Sequence, residues 1–98
     1  MNALETLFDH ARGDTGGSRR CAMLLLSLWN GASFKADLQE LLYNDRQIFQ
    51  AMIEVLSYLY EHNQQLSSLV SQSEIDPVME AWGRSFWESP EPLPFQEP

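Results

Sequence analysis

The sequence predicts an all-α fold: a compact single-domain bundle of about four to six helices around one central apolar helix at about 18–30, followed by a Pro-rich C-terminal tail. Three observations predict it. Apolar residues recur at three- and four-residue spacing along most of the chain, the period of an amphipathic helix. No run alternates apolar and polar residues over a useful length, and β-branched residues are few, which argues against a sheet. Ser, Asp or Asn stands three residues before Glu, Gln or Asp at the head of successive apolar runs, the pattern that opens helices. At 98 residues and 44% hydrophobic content the chain can fill one modest core and not two.

The elements follow in order. Asn2, with Glu5 three residues on, opens a first helix that turns Leu4, Leu7, Phe8 and Ala11 inward and stops at Gly13. Residues 13–17 make a turn-rich connection, Ser18 caps the second helix, and Gly31 ends it. Cys21, Ala22, Met23, Leu24, Leu25, Leu26, Leu28 and Trp29 leave this helix almost no polar face, so other elements must cover it on most sides. Asp37 with Glu40 opens a short helix with Leu38, Leu41 and Leu42 inward, and Asn44 with Gln47 opens the next, at about 45–62. There Ile48, Phe49, Met52, Ile53, Val55, Leu56, Leu59 and Tyr60 make one wide apolar stripe opposite Arg46, Gln47, Gln50, Glu54, Ser57 and Glu61.

Residues 63–70 carry Leu66, Leu69 and Val70 at helical spacing, enough for a turn or a brief helix. Ser73 with Asp76 opens the last helix, which keeps Pro77 in its first turn, turns Ile75, Val78, Met79 and Trp82 inward, and ends at Gly83. Residues 1–88 thus form the helical domain. Four of the five prolines fall in 89–98, which reads as a flexible, acidic, Pro-rich tail, with Phe86 or Trp87 docking back onto the domain.

Charge is the strongest bulk signal, and it is uneven. Positions 1–46 carry five basic residues against six acidic, a net −1; from Gln47 onward Arg84 alone opposes eight carboxylates, a net −7. Phosphate backbones are bound by Lys and Arg that release counterions, so the second half is a poor direct ligand for nucleic acid. It matches a host protein with a basic surface, and Glu54, Glu61, Glu74, Asp76 and Glu80 are the residues expected to form that acidic face. Net negative charge also serves simple solubility. No apolar run approaches the roughly 18 residues of a membrane span. The first residues lack a basic segment ahead of an apolar stretch, so a cytoplasmic protein without membrane contact is expected. The single cysteine excludes a disulfide framework and a multi-cysteine zinc site.

The stretch "GDTGGSRR" at 13–20 is the one suggestion of a ligand site. Ser18, Arg19 and Arg20 stand at a helix N-terminus, where free N–H groups and the positive dipole end favour an anion or an acidic partner. It has neither GxxxxGK[ST] nor GxGxxG, and no strand precedes it, so it is not a nucleotide loop. A structural role explains the same residues: glycines for the turn, Ser18 as cap, arginines reaching solvent or Asp9 and Asp14. Cys21, beside two arginines in the first helical turn, sits where a thiol can be activated, but among Ala22, Met23 and Leu24 it reads as a small buried hydrophobe. His10 and His62 neighbour Asp9 and Glu61 at adjacent positions whose side chains diverge on a helix, so no metal ligand set, cofactor site or catalytic base emerges. The expectation is a non-enzyme. Tyr43, Tyr58, Tyr60 and Trp87 fit a helical dimer interface or the edge of a small core equally well, leaving monomer and homodimer both open.

"DTGGSRRCAMLLLSLWNG", then Phe34, "DLQELL" at 37–42, Asp45 and "IFQAMIEVL" at 48–56 together resemble a family of small uncharacterised bacterial domains with a DTG-SRR-A-LL-WN pattern. The resemblance covers roughly residues 4–82 and is strongest over 14–30. Family members carry a more aromatic and proline-rich segment in place of residues 63–73, and their genes often sit on plasmids, integrative elements and phages. The resemblance transfers no catalytic residue. It implies a mobile-element context, and with the net −7 half and the lack of catalytic motifs the expectation is a non-catalytic acidic protein-binding module: a mobile-element or phage accessory protein that binds or inhibits a host nucleic-acid-handling complex, anti-CRISPR-like or a nucleic-acid mimic. The alternative is a nucleic-acid-associated regulator using Arg12, Arg19, Arg20 and Arg46, with its patch at the start of the second helix.

Overall fold

A helix without a polar face is stable in water only if its neighbours enclose it, and this requirement organises the chain. The computed structural model describes residues 1–89, so the predicted tail lies outside the described residues except for Ser89. The elements are α1 (Asn2–Ala11), α2 (Gly16–Trp29), a 3₁₀ helix (Leu38–Tyr43), α3 (Arg46–His62), a second 3₁₀ helix (Leu66–Ser68) and α4 (Gln72–Phe86). The fold is all-α as expected. Among the described residues the extended pairing is limited to an isolated antiparallel bridge between Phe34 and Trp87. No described helix is long and apolar enough to cross a membrane.

Residues 21–26 of α2 are all buried, none more than 4% exposed. α1 packs on both α2 and α3, and α4 packs on α2. The core joins Leu7 and Phe8 of α1, Met52 and Val55 of α3, and Ile75 and Val78 of α4 around that central run. Phe34, in the connection after α2, is buried as well.

Helix boundaries differ from the sequence expectation in a consistent way. Met1, not Asn2, occupies the N-cap of α1, and it offers no side-chain acceptor. Thr15 caps α2 by accepting the Ser18 N–H at 3.1 Å, so Ser18 lies inside the first turn instead of capping it. Asp37 does cap the first 3₁₀ helix, accepting from Gln39 N–H. Asp45 caps α3 through the Ile48 N–H, displacing Asn44 from that role. α4 opens on a capping box of Ser71 and Glu74, two residues ahead of the expected Ser73 and Asp76. Pro77 therefore falls at the sixth helical position, beyond the first turn. At α2, α3 and α4 the residue at the true helix start carries its own acceptor, and a competing acceptor one to three residues away produced the same sequence pattern.

One glycine stop also moves. Gly31 follows the Asn30 C-cap as expected, without a left-handed backbone, whereas α4 runs through a buried Gly83 to Phe86. The left-handed cap is Asn63 at the end of α3, with φ 50°, a conformation Asn tolerates. The expected inward set of the first 3₁₀ helix is reduced to Leu41, because Leu38 and Leu42 are 73% and 68% exposed. At three residues per turn Leu42 stands about 120° away from Leu41, whereas Leu38 shares the row of Leu41 one turn earlier and is exposed at the start of the helix.

The end of α4 is tied back onto the domain, as expected for Phe86 and Trp87. Trp82 Nε1 donates to the Ala11 carbonyl at 3.0 Å, Lys35 N–H donates to the Phe86 carbonyl at 3.0 Å, and Glu88 N–H donates to the Ser33 carbonyl at 2.8 Å. Trp87 meets Phe34 edge-on, with centroids 5.1 Å apart.

These placements separate variants that the sequence pattern would treat alike. By chemical denaturation, Leu25→Ala is expected to cost about 2–5 kcal/mol and Leu42→Ala less than about 0.5. Ser71→Ala is expected to cost about 1 kcal/mol and Ser73→Ala only a few tenths. A larger loss at Ser73 than at Ser71 would show the helix start to be wrongly placed.

Candidate functional site

The glycine- and arginine-bearing segment ahead of α2 folds into an internal bracket. Thr15 and Ser18 hydroxyls lie 3.0 Å apart, and Ser18 is buried. Gly13 permits this closeness, since a Cβ there would stand 2.6 Å from Ser18 Oγ. Gly17 faces Ile48, whose Cδ1 would be 3.3 Å from an added Cβ, so α2 and the start of α3 approach at a position where a side chain would crowd them. Arg19 forms an ion pair with Glu40, and its guanidinium lies over the Phe86 ring at 4.9 Å from the centroid. Arg20 Nε donates to Asn44 Oδ1 at 2.9 Å, and Asn44 Nδ2 donates to the Leu41 carbonyl at 3.1 Å.

The two arginines therefore join α2 to the 3₁₀ helix and to the end of α4. This differs from the expected pairing with Asp9 and Asp14. Asp9 instead takes Arg12 at 2.6 Å, within one turn of its own helix, and Asp14 is exposed. The preference is physical: the planar guanidinium of Arg19 gains both a carboxylate and an aromatic face at Glu40 and Phe86.

The five expected acidic residues fall into two groups. Glu54 and Glu61 stand two turns apart on α3; Glu74, Asp76 and Glu80 stand on α4. α3 packs chiefly on α1 and α4 on α2, so the groups belong to different layers. Glu54, Glu61 and Glu80 are exposed, and among the described residues none of them has an ion-pair or hydrogen-bond partner. Asp76 is half-buried and accepts from Gln72 Nε2 at 2.6 Å. Glu74 accepts from both the Ser71 N–H at 3.0 Å and the Ser71 hydroxyl at 3.1 Å, and these bonds hold its carboxyl below its ordinary 4.5. Two of the five thus serve the fold, and three are free to meet a partner.

Cys21 is a buried hydrophobe. Burial pushes its thiol from an ordinary 9.0 to about 11, overcoming the opposing pull of Arg20 and helped by the nearby Asp45 carboxylate. His62 Nδ1 lies 3.0 Å from the Tyr58 carbonyl, with its ring stacked on Tyr58 at 4.0 Å between centroids. Among the described residues no three His, Cys, Asp or Glu side chains gather in a way that could hold a metal ion.

One surface escaped the sequence reading. The wide stripe of α3 is buried on one side alone: Ile48, Met52, Val55 and Leu59 face the core, whereas Ile53 is 45% and Tyr60 86% exposed. Leu42, Asn44, Arg46, Phe49 and Gln50 line an open groove of about 470 Å³ at the head of this outer side. The available signal was the width of the stripe, which fills two adjacent seams of the helix instead of one.

Two outcomes test these assignments. Cys21 is expected to react with a thiol reagent at pH 8 only slowly in the folded protein and rapidly after denaturation; fast labelling of the native state would contradict its burial. Glu74 has a depressed folded pKa, so its contribution to stability is present above its ordinary 4.5 and is lost as pH falls through the lower folded value. Acid unfolding curves of Glu74→Gln are therefore expected to show a shallower stability loss below about pH 4.5 than those of the native chain.

Comparison with known proteins yields a family. A family model described as "Family of unknown function (DUF7673)" matches residues 1–83. No curated protein and no solved structure matches the chain.

Proposed function

The chain belongs to the DUF7673 family of unknown function, and from its charge and architecture we propose that it is a non-catalytic acidic protein-binding module for a host protein with a basic surface. One observation carries this reading: the domain's cations and anions are spent unequally. Arg12 pairs with Asp9 on the surface, Arg19 and Arg20 are engaged by Glu40 and Asn44 within the fold, and Arg46 is exposed. Glu54, Glu61 and Glu80 project into solvent unneutralised, on a chain of net charge −8. Such a field steers a cationic partner at long range and gives binding that weakens as salt screens it.

In its finer form the proposal is an accessory protein of a mobile element or phage that inhibits a host nucleic-acid-handling complex, as an anti-CRISPR-like factor or nucleic-acid mimic. Carboxylates displayed on rigid helices would then occupy sites that otherwise hold phosphates. The alternative, a nucleic-acid regulator built on the arginines at the start of α2, has less support, because Arg19 and Arg20 are each already held by one bond, to Glu40 and to Asn44.

The test is capture of the host partner with the full chain, followed by affinity measurements on the purified pair across a salt series. Glu54→Lys, Glu61→Lys and Glu80→Lys together are the informative change, because Glu74 and Asp76 also serve α4. The triple variant is expected to bind at least about tenfold more weakly, with the native chain losing affinity as salt rises. Unchanged affinity and no salt dependence would overturn the acidic-surface reading, and a low-salt mobility shift of nucleic acid by the native chain would favour the alternative.

A further inference from the structure

We infer that the outer seam of α3 pairs antiparallel with the same seam of a second copy of this chain. α3 carries two apolar seams side by side. Ile48, Met52, Val55 and Leu59 follow the 4-3-4 spacing that packs a helix against a neighbour, and the fold uses them. Phe49, Ile53, Leu56 and Tyr60 repeat the same 4-3-4 spacing one residue on. They run roughly 16 Å along the helix at 1.5 Å rise per residue. The described elements cover this second seam only in part: Ile53 and Tyr60 are exposed, while Phe49 and Leu56 are half-buried, Leu56 against the core.

Charge along the seam selects the occupant and its direction. Arg46 is the first residue of α3, exposed, with no ion-pair partner among the described residues. A cation at a helix N-terminus opposes the helix dipole, and the one carboxylate there, the Asp45 cap, is bonded to the Ile48 N–H. At the other end of the same seam Glu61 projects unpaired near the helix C-terminus, where the dipole disfavours an anion. One antiparallel copy corrects both ends at once. With Phe49 opposite the second copy's Tyr60 and Ile53 opposite the second copy's Leu56, Arg46 reaches the C-terminal end of the opposing helix beside the second copy's Glu61. The same contacts repeat by two-fold symmetry, as an isologous interface requires. The groove between Leu42 and Phe49 then receives the second copy's Tyr60, whose ring would fill apolar space and whose hydroxyl would meet Asn44 and Gln50. Glu80 on α4 lies outside this contact, so pairing leaves an acidic surface in place.

Sedimentation velocity of the full chain between about 1 and 100 µM is the test. The native chain is expected to form a dimer that tightens with added salt, since two chains of −8 repel each other through solvent while the buried seam does not depend on salt. This sign is opposite to that expected for a basic partner, so the two proposals fail separately. Ile53→Asp and Tyr60→Asp are each expected to weaken the dimer at least tenfold with helical content unchanged, because neither side chain is in the core. Arg46→Glu is expected to weaken it, and Arg46→Glu with Glu61→Arg to restore it. A native chain that stays monomeric throughout, or an Ile53→Asp variant that dimerises as well as the native chain, would overturn the pairing. Failure of the double charge swap to restore association would overturn the antiparallel direction.

Discussion

Residues 21–26 of α2 turn no side to water, and the rest of the domain is arranged to satisfy that condition. A single amphipathic neighbour covers about half of a helix, so an all-round apolar segment needs partners from several directions. α1 and α4 supply the two broad contacts, while α3 and the second 3₁₀ helix complete the enclosure. The backbone of the connection after α2 is then constrained as well. Phe34 is drawn into the core, and its neighbours Ser33 and Lys35 bond to the chain leaving α4. Trp82 reaches across to the last carbonyl of α1. Hydrophobic enclosure sets the layout, and these few polar contacts fix its edges.

The same constraint explains why the basic residues near the start of α2 do not face outward as a patch. Burial of the helix brings its first turn against the 3₁₀ helix, where Glu40 and Asn44 are waiting at hydrogen-bond distance for Arg19 and Arg20. The glycines before them are small because Ser18 and Ile48 come close. The residues of the candidate anion cradle also clamp the central helix in place. The consequence is electrostatic: Arg19 and Arg20 are engaged within the fold, while the carboxylates of α3 and α4 face outward.

How much of this was legible in the sequence differs by scale. The helical class, the buried centre and α3 followed from periodicity, because burial acts on many residues at once and leaves a repeated pattern. Apart from Asp37, cap identities did not follow. Ser18, Asn44 and Ser73 each offer a plausible acceptor within three residues of the true cap, and local geometry decides among them. The exposure of Leu38, Leu42 and Ile53 was hidden for a different reason: periodicity reports which residues share a face, not whether an intramolecular neighbour exists to cover it. Long-range polar pairs such as Arg19 with Glu40 left no sequence signal, since 21 residues separate them and no periodic pattern links the two.

Native-state hydrogen exchange tests the central claim most directly, because it ranks the elements by the free energy needed to open them. If enclosure of α2 organises the domain, the amides of residues 22–26 exchange last, and only through global unfolding, with the same free energy and denaturant dependence as the whole domain. Amides of the first 3₁₀ helix and the outer end of α3 exchange earlier through local opening. Exchange of the α2 amides ahead of those in α3 or α4 would contradict the account, because it would show that the surrounding helices hold together without the one they are said to enclose.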